Sequence, residues 1–252
     1  MQFFTDSFFE ILLFLYQFTG SLGLAIIVMT LIIRSILVPL TLPSLKARKK
    51  ITDIQPEVNK LKKKHGKDKK ALQKAQMELY QKYNVNPLSG CIPQLVQLAV
   101  LIFLYRALIS FLGHDVIDGN GINSAFLWLD LTQPDSRYIL PVVAGVSQFI
   151  LSLMISPGGE VRDIVPNKSK SKKIRKENKK EEDTAGMAAS MQQQMLYMMP
   201  IMTVFIAAKF PSGLAVYWVM TTVFSIGQQY FISGLGGLKT YLVRAQALLN
   251  RK

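Results

Sequence analysis

Residues Leu22–Leu42 read LGLAIIVMTLIIRSILVPLTL, an apolar run broken by one charge, Arg34. A helix needs about 20 predominantly apolar residues to cross the hydrocarbon core of a bilayer. This run is long enough, and its arginine needs an explanation. A cation at the centre of a spanning helix costs about 2.5–3.5 kcal/mol on insertion scales, so it must face water, a partner or a polar cavity. Outward from this stretch lie four more candidate spans: 87–112 (apolar from Ile92), 138–155, 191–208 and 214–232. The last two flank Lys209-Phe210-Pro211-Ser212-Gly213, where Pro and Gly predict a tight turn. The expected fold is an all-α membrane protein with five transmembrane helices.

Composition agrees. Half of the 252 residues are hydrophobic, yet the formal net charge is +14. The two features are segregated into apolar blocks and short basic blocks, as in a membrane protein with Lys/Arg-rich cytoplasmic loops. A nucleic-acid-binding protein could carry this charge, but it would not need five apolar runs, and no direct nucleic-acid function is expected. The one cysteine, Cys91, excludes an intrachain disulfide and a Cys-based metal site. His65 and His114 lie far apart in polar stretches, so no metal is expected. There is no P-loop and no plausible acid/base pair, which argues against an enzyme or a cofactor.

Lys and Arg counts orient the spans. Residues 43–86 hold 13, residues 156–190 hold 9 and residues 233–252 hold 4. By contrast, residues 1–21 hold none, 113–137 only Arg137, and the 209–213 turn only Lys209. Under five crossings every basic segment falls on one side, with the N-terminus outside and the C-terminus in the cytoplasm. Residues 1–21 then form an outer-surface amphipathic segment, because Asp6 and Glu10 interrupt an apolar stretch. The missing basic n-region argues against a secretory signal there.

The cytoplasmic stretch 43–86 is patterned. Ile51, Ile54, Val58 and Leu61 recur at helical spacing, and so do Leu72, Ala75, Leu79 and Tyr83. His65-Gly66-Lys67-Asp68 separates them. This predicts two amphipathic helices packed as a hairpin. Its 13 basic residues exceed Asp53, Glu57, Asp68 and Glu78 by 13 − 4 = 9 charges. Such a surface holds anionic lipid and can dock a ribosome, a targeting receptor or a nascent chain. The charged loop 156–190 reads as largely disordered. The tail 233–252 carries a short amphipathic segment, Leu238–Leu249.

Polar residues recur inside the spans. Thr30, Arg34 and Thr41 share a face of the first, and Gln94 and Gln97 lie on the second. Gln148 and Ser152 lie on the third, and Trp218, Thr222, Ser225 and Gln229 on the fifth. No Asp or Glu occurs in any of the five. Four polar stripes and an arginine without a carboxylate predict a shared hydrophilic groove.

The segments IIVMTLIIRSILVPLTLPS, YNVNPLSGCIPQLVQLAVLIFLYRAL, FLWLDLTQPDSRYILPVVAG and MQQQMLYMMPIMTVFIAAKFPSGLAVYW together resemble YidC-type membrane protein insertases, collinearly over about residues 20–235. The resemblance implies a groove open to the cytoplasm and the lipid but closed outside. It implies that Arg34 receives the substrate and that Gln148 and Trp218 line the groove, beside the Thr30 and Gln97 of the stripes. Its implied partners are nascent membrane proteins, ribosome and targeting machinery at the hairpin, the Sec translocon and anionic lipids. The implied location is the bacterial plasma membrane. The large periplasmic domain of Gram-negative members has no counterpart, and Ala99 and Arg106 depart from the family pattern. Arg106, near the outer end of its span, reads as snorkelling to the interface. Two other functions fit an intramembrane arginine and a basic hairpin: a small-anion transporter and a ribosome-recruiting scaffold.

The topology has a direct check. In a Cys91→Ser background, Asn120→Cys should react with a membrane-impermeant maleimide from outside, and His65→Cys or Arg175→Cys only after the membrane is opened. Outside labelling at position 65 would overturn the arrangement.

Overall fold

The computed structural model describes residues 2–65, 69–86, 92–113, 123–156 and 198–249. In chain order its elements are α1 (Gln2–Thr19), α2 (Leu22–Asp53), α3 (Gln55–His65), α4 (Lys69–Lys82) and α5 (Ile92–Gly113). There follow β1 (Ala125–Phe126), β2 (Leu129–Asp130), α6 (Ile139–Ile155), α7 (Met198–Lys209), α8 (Ser212–Ser233) and α9 (Gly237–Leu249). Most of the charged loop, residues 87–91 of the Asn-Pro-Leu-Ser-Gly-Cys stretch and the centre of the hairpin turn lie outside the described residues.

Helix α2 runs past Leu42, where the apolar run ends, and continues to Asp53. At 1.5 Å per residue it is roughly 48 Å long. A change from apolar to basic side chains does not interrupt i→i−4 bonding, so the first span and the start of the basic segment share one helix. Pro39 and Pro43 lie inside it, each removing one backbone donor. Among the described residues, α2 alone is long and apolar enough to cross a membrane. The apolar segments Leu95–Phe111, Ile139–Ile155 and Met198–Lys209 are shorter. Helix α8 has 22 residues but is diluted by hydroxyl and amide side chains.

Helix α1 ends at Gly20, whose φ of +67° suits glycine. Its Leu12 and Leu15 are buried. Phe8 packs on Phe103, and Phe9 and Tyr16 pack on Phe111, at centroid distances of 5.5–6.0 Å. The opposite face exposes Ile11, Phe14 and Phe18. The helix is thus apolar on its protein-facing side and on a free side.

The main core joins α1, α2, α5 and α8 through Leu22, Ile26, Met29, Leu104, Leu108, Phe111, Leu214 and Tyr217. Helix α8 lies between α2 and α6. Ala144, Ala207 and Ala215 are buried where α6, α7 and α8 meet. Small residues let these backbones approach closely.

The all-α expectation needs one correction. Strands β1 and β2 form an antiparallel hairpin, pairing Ala125 with Asp130 and Phe126 with Leu129. Two-residue strands leave no periodicity to read. The hairpin is tied down on both sides. Phe126 lies over Gly23, where an added Cβ would sit 2.2 Å from the ring. The Ser212 and Gly213 N–H groups donate to the carbonyls of Gln133 and Leu131 at 2.8 and 3.1 Å, and the Ser212 hydroxyl donates to that of Asp130 at 2.6 Å. These bonds satisfy donors that the start of a helix leaves unpaired. Asp130 accepts from the Thr132 hydroxyl and N–H at 2.7 and 3.0 Å, which holds its carboxyl below the usual range.

Helices α3 and α4 pack on each other as the expected hairpin. Ile54 and Val58 are buried, whereas Leu72, Ala75 and Leu79 are half-buried and the polar Gln76 is buried. The Tyr83 hydroxyl donates to the Glu57 carboxylate at 2.5 Å. Helix α9 follows a turn in which Gly236, with a φ of +49°, meets the Met154 carbonyl so closely that a Cβ would lie 2.2 Å from its oxygen.

Two outcomes follow from this packing. Gly23→Leu should expel Phe126 and destabilise the chain by about 1–3 kcal/mol, the usual range for overpacking. Thermal melting in detergent measures this, and an unchanged midpoint would contradict the close packing. Tyr83 should titrate above the ordinary tyrosine value of about 10, because its bond to Glu57 raises it. That contact contributes fully below the ordinary value and is lost as pH rises through the raised one. The ultraviolet difference titration of the wild type minus Tyr83→Phe should shift down on Glu57→Gln.

Candidate functional site

Three helices meet at Arg34. Its Nε donates to the Thr221 hydroxyl on α8 at 3.3 Å. Its Nη2 donates to Gln97 Oε1 on α5. The amide nitrogen of Gln97 then donates to the Tyr217 hydroxyl on α8 at 3.0 Å. Tyr217 is 2% exposed and Arg34 is half-buried. Both acceptors of the guanidinium are neutral. Two of its five N–H groups are thereby bound, and Nη1 has no hydrogen-bond partner among the described residues.

The surroundings differ on the two sides of this group. Towards the β-hairpin, Ile26, Met29, Leu104, Leu108, Leu214 and Val216 form the packed core. Towards the α3–α4 pair, Ile36 and Leu40 of α2 and Leu95 and Leu98 of α5 are exposed. Burial on α2 resumes at Thr41, Ser44 and Leu45. Arg34 therefore sits at the floor of a packed layer, beside a stretch where α2 and α5 present side chains to their surroundings.

Of the expected site residues, Arg34 and Gln97 are in direct contact. Thr30 is buried one turn away, and its hydroxyl donates to the Ile26 carbonyl of its own helix at 2.6 Å. Gln148 is half-buried on α6, and no hydrogen bond joins it to this group. Trp218 is half-buried on α8, where its carbonyl accepts from Thr222 at 2.9 Å. Ser225 likewise donates within its helix, to Thr221 O at 2.9 Å. The residues of α8 that do reach Arg34's network are Tyr217 and Thr221, one position earlier than Trp218 and Thr222. Their i, i+4 spacing carried the same signal, and a rotation of about 100° per residue separates the two faces. Gln229, on the expected stripe, is buried, and neither its Oε1 nor the Ser233 hydroxyl has a hydrogen-bond partner among the described residues. Nearby, Lys49 Nζ donates to the Ile232 carbonyl at 2.9 Å and caps the end of α8. Arg106 borders a shallow crevice with Thr5, Asp6, Tyr105, Ile109 and Ser110.

The fold defines a class of helical bundle, with one helix long and apolar enough to cross a membrane among the described residues and a polar cluster set on it. Comparison with known proteins narrows it. The chain matches the 60Kd inner membrane protein family over residues 14–236 and belongs to that family. It is 35% identical over 220 residues to the membrane protein insertase YidC of Fusobacterium nucleatum, covering 87% of this chain and 90% of that one. It is 39% identical over 222 residues to the membrane protein insertase YidC 2 of Bacillus anthracis, covering 86% and 74%. It is 35% identical over 231 residues to the membrane protein insertase MisCA of Bacillus subtilis, covering 89% and 76%. Its fold is similar to a crystal structure of active YidC insertase with the first transmembrane domain resolved. The TM-score is 0.62 at 25% identity, over 90% of this chain and 46% of that one. The resemblance read from the sequence is borne out. The family is one of bacterial membrane insertases, not enzymes.

Proposed function

We propose that this chain inserts newly made membrane proteins into the bacterial plasma membrane through a hydrophilic groove floored by Arg34. The observation that carries the reading is Arg34 itself. It is a cation held between three apolar helices by neutral acceptors, with a packed core on one side and exposed positions on the other. The names of the relatives supply the activity.

In this reading α2, α5, α6, α7 and α8 cross the membrane, with the β-hairpin outside and α3–α4 in the cytoplasm. The core near the β-hairpin closes the outer side. The side facing α3–α4 is open, and Thr30, Gln97, Gln148 and Trp218 belong to the groove walls with Tyr217 and Thr221. A polar client tail enters this hydrated recess and crosses only part of the bilayer unaided. Arg34 attracts carboxylates on the tail. The apolar client segment then moves into lipid, gaining about 25 cal/mol per Å² of apolar surface removed from water. With the outside positive, each acidic charge moved outward gains about 2.3 kcal/mol per 100 mV. No nucleotide hydrolysis enters this scheme. The basic α3–α4 pair receives the ribosome or a targeting receptor and rests on anionic lipid, and clients of the Sec translocon are passed to the same groove.

The test uses proteoliposomes and a single-span client with an acidic tail. Arg34→Lys should keep much of the insertion, because the charge survives the loss of the planar fork. Arg34→Ala should lower it about tenfold, which corresponds to about 1.4 kcal/mol. Arg34→Glu should lower it further, and neutralising the client tail should reduce the dependence on Arg34. Equal rates for wild type, Arg34→Ala and Arg34→Glu would leave Arg34 a structural residue.

A further inference from the structure

We infer that Tyr217 is a positioning residue: it fixes the amide of Gln97 and, through it, the face that Arg34 offers to a client carboxylate. The inference rests on the groove reading above and concerns how the cation is kept available.

The geometry is a directed chain of hydrogen bonds. A side-chain amide can turn over and exchange its oxygen for its nitrogen at little steric cost. Only one of the two orientations presents an acceptor to Arg34, which can only donate. Arg34 therefore sets the orientation, with Gln97 Oε1 turned to it, while the Tyr217 hydroxyl accepts from the amide nitrogen at 3.0 Å and anchors the side chain in reach of the guanidinium. Tyr217 can serve as a fixed anchor because it is itself buried in the core with Leu214 and Val216. Thr221, one turn further along α8, takes Nε. Nε and Nη2 form one edge of the guanidinium. With that edge fastened, Nη1 and the second proton of Nη2 have no partner among the described residues and form a fork, the geometry that binds a carboxylate in bidentate fashion.

The neutrality of Gln97 matters as much as its orientation. A carboxylate at this position would form a charge-assisted ion pair with Arg34 at hydrogen-bonding distance. It would compete with every acidic client. An amide of the same size satisfies one N–H and leaves the full positive charge in place.

Two isosteric variants separate the roles, read as the ratio of insertion rates of an acidic-tailed client and of its Asn/Gln-tailed counterpart in proteoliposomes. Tyr217→Phe should lower that ratio about fivefold, since Gln97 then loses its anchor and can swing away from Arg34. Gln97→Glu should lower it about tenfold, since the new carboxylate occupies Arg34. A variant that merely weakens the fold lowers both rates together and leaves the ratio unchanged. A ratio that falls less than threefold in Tyr217→Phe overturns the inference, whatever Gln97→Glu does. Arg34→Ala in the same assay isolates the groove reading: if it too leaves the ratio unchanged, the attraction mechanism fails as a whole. If it lowers the ratio while Tyr217→Phe does not, the positioning role alone fails.

Discussion

A guanidinium inside an apolar helix has to be solvated by something, and here protein dipoles from two neighbouring helices do it. Arg34 donates to Gln97 on α5 and Thr221 on α8. This requirement constrains much of the architecture. Helix α8 must run close along α2 to bring Thr221 within reach. Helix α5 must approach both, although its main packing is against α1. The alanines where α6, α7 and α8 meet give α8 a close-packed backing. The core formed by Leu22, Ile26, Met29, Leu108 and Leu214 lies directly above, so the cation has no dry path further into the layer.

That core is held shut by backbone bonding as well as by apolar contact. The start of α8 is tied to residues 130–133, and Phe126 is seated on Gly23 of α2. A side chain at Gly23 would displace the ring, and Gly213 is similarly confined, with Leu108, Leu131 and Ile26 about 3.2–3.3 Å from a hypothetical Cβ. Glycines at these two points let the connection between α5 and α6 sit down onto the helix ends. The opposite end of the bundle is built differently. Lys49 caps α8 there, and the prolines at 39 and 43 leave α2 with missing backbone donors in its exposed stretch.

Much of this was legible in the sequence. The arginine in the run Leu22–Leu42, the hairpin of α3 and α4, and the tight turn before α8 all follow from periodicity, charge and Pro/Gly chemistry. The β-hairpin was not legible, because Phe126 and Leu129 act through a tertiary contact with α2 and not through a strand pattern. The extension of α2 to Asp53 was hidden because its side chains change character while its backbone bonding does not. In the site, Gln97 and Arg34 were singled out and do meet. Spacing alone points to Trp218 and Thr222 where the structure uses Tyr217 and Thr221, since adjacent helical faces differ by one residue and only packing decides which one turns inward. The Gln76 buried in the α3–α4 seam likewise contradicts any simple apolar pattern.

The choice of neutral acceptors also bears on how a binding cation can remain reversible. A buried ion pair broken on one side leaves an uncompensated charge, a loss of about 3–5 kcal/mol. A client that had to displace an internal carboxylate would face that barrier on entry, and the site would reclose on it at exit. Hydrogen bonds to an amide and a hydroxyl are weaker, about 1.5–3 kcal/mol when one partner is charged. In the proposed mechanism they persist while a client carboxylate occupies the outer fork of the guanidinium. Client and protein then do not compete for the same N–H groups, and capture and release each change only the contacts on the open side. The absence of Asp and Glu from the apolar stretches around Arg34 is therefore as much a part of the site as the arginine: it leaves the charge uncancelled, while Gln97, Tyr217 and Thr221 make it tolerable within the bundle.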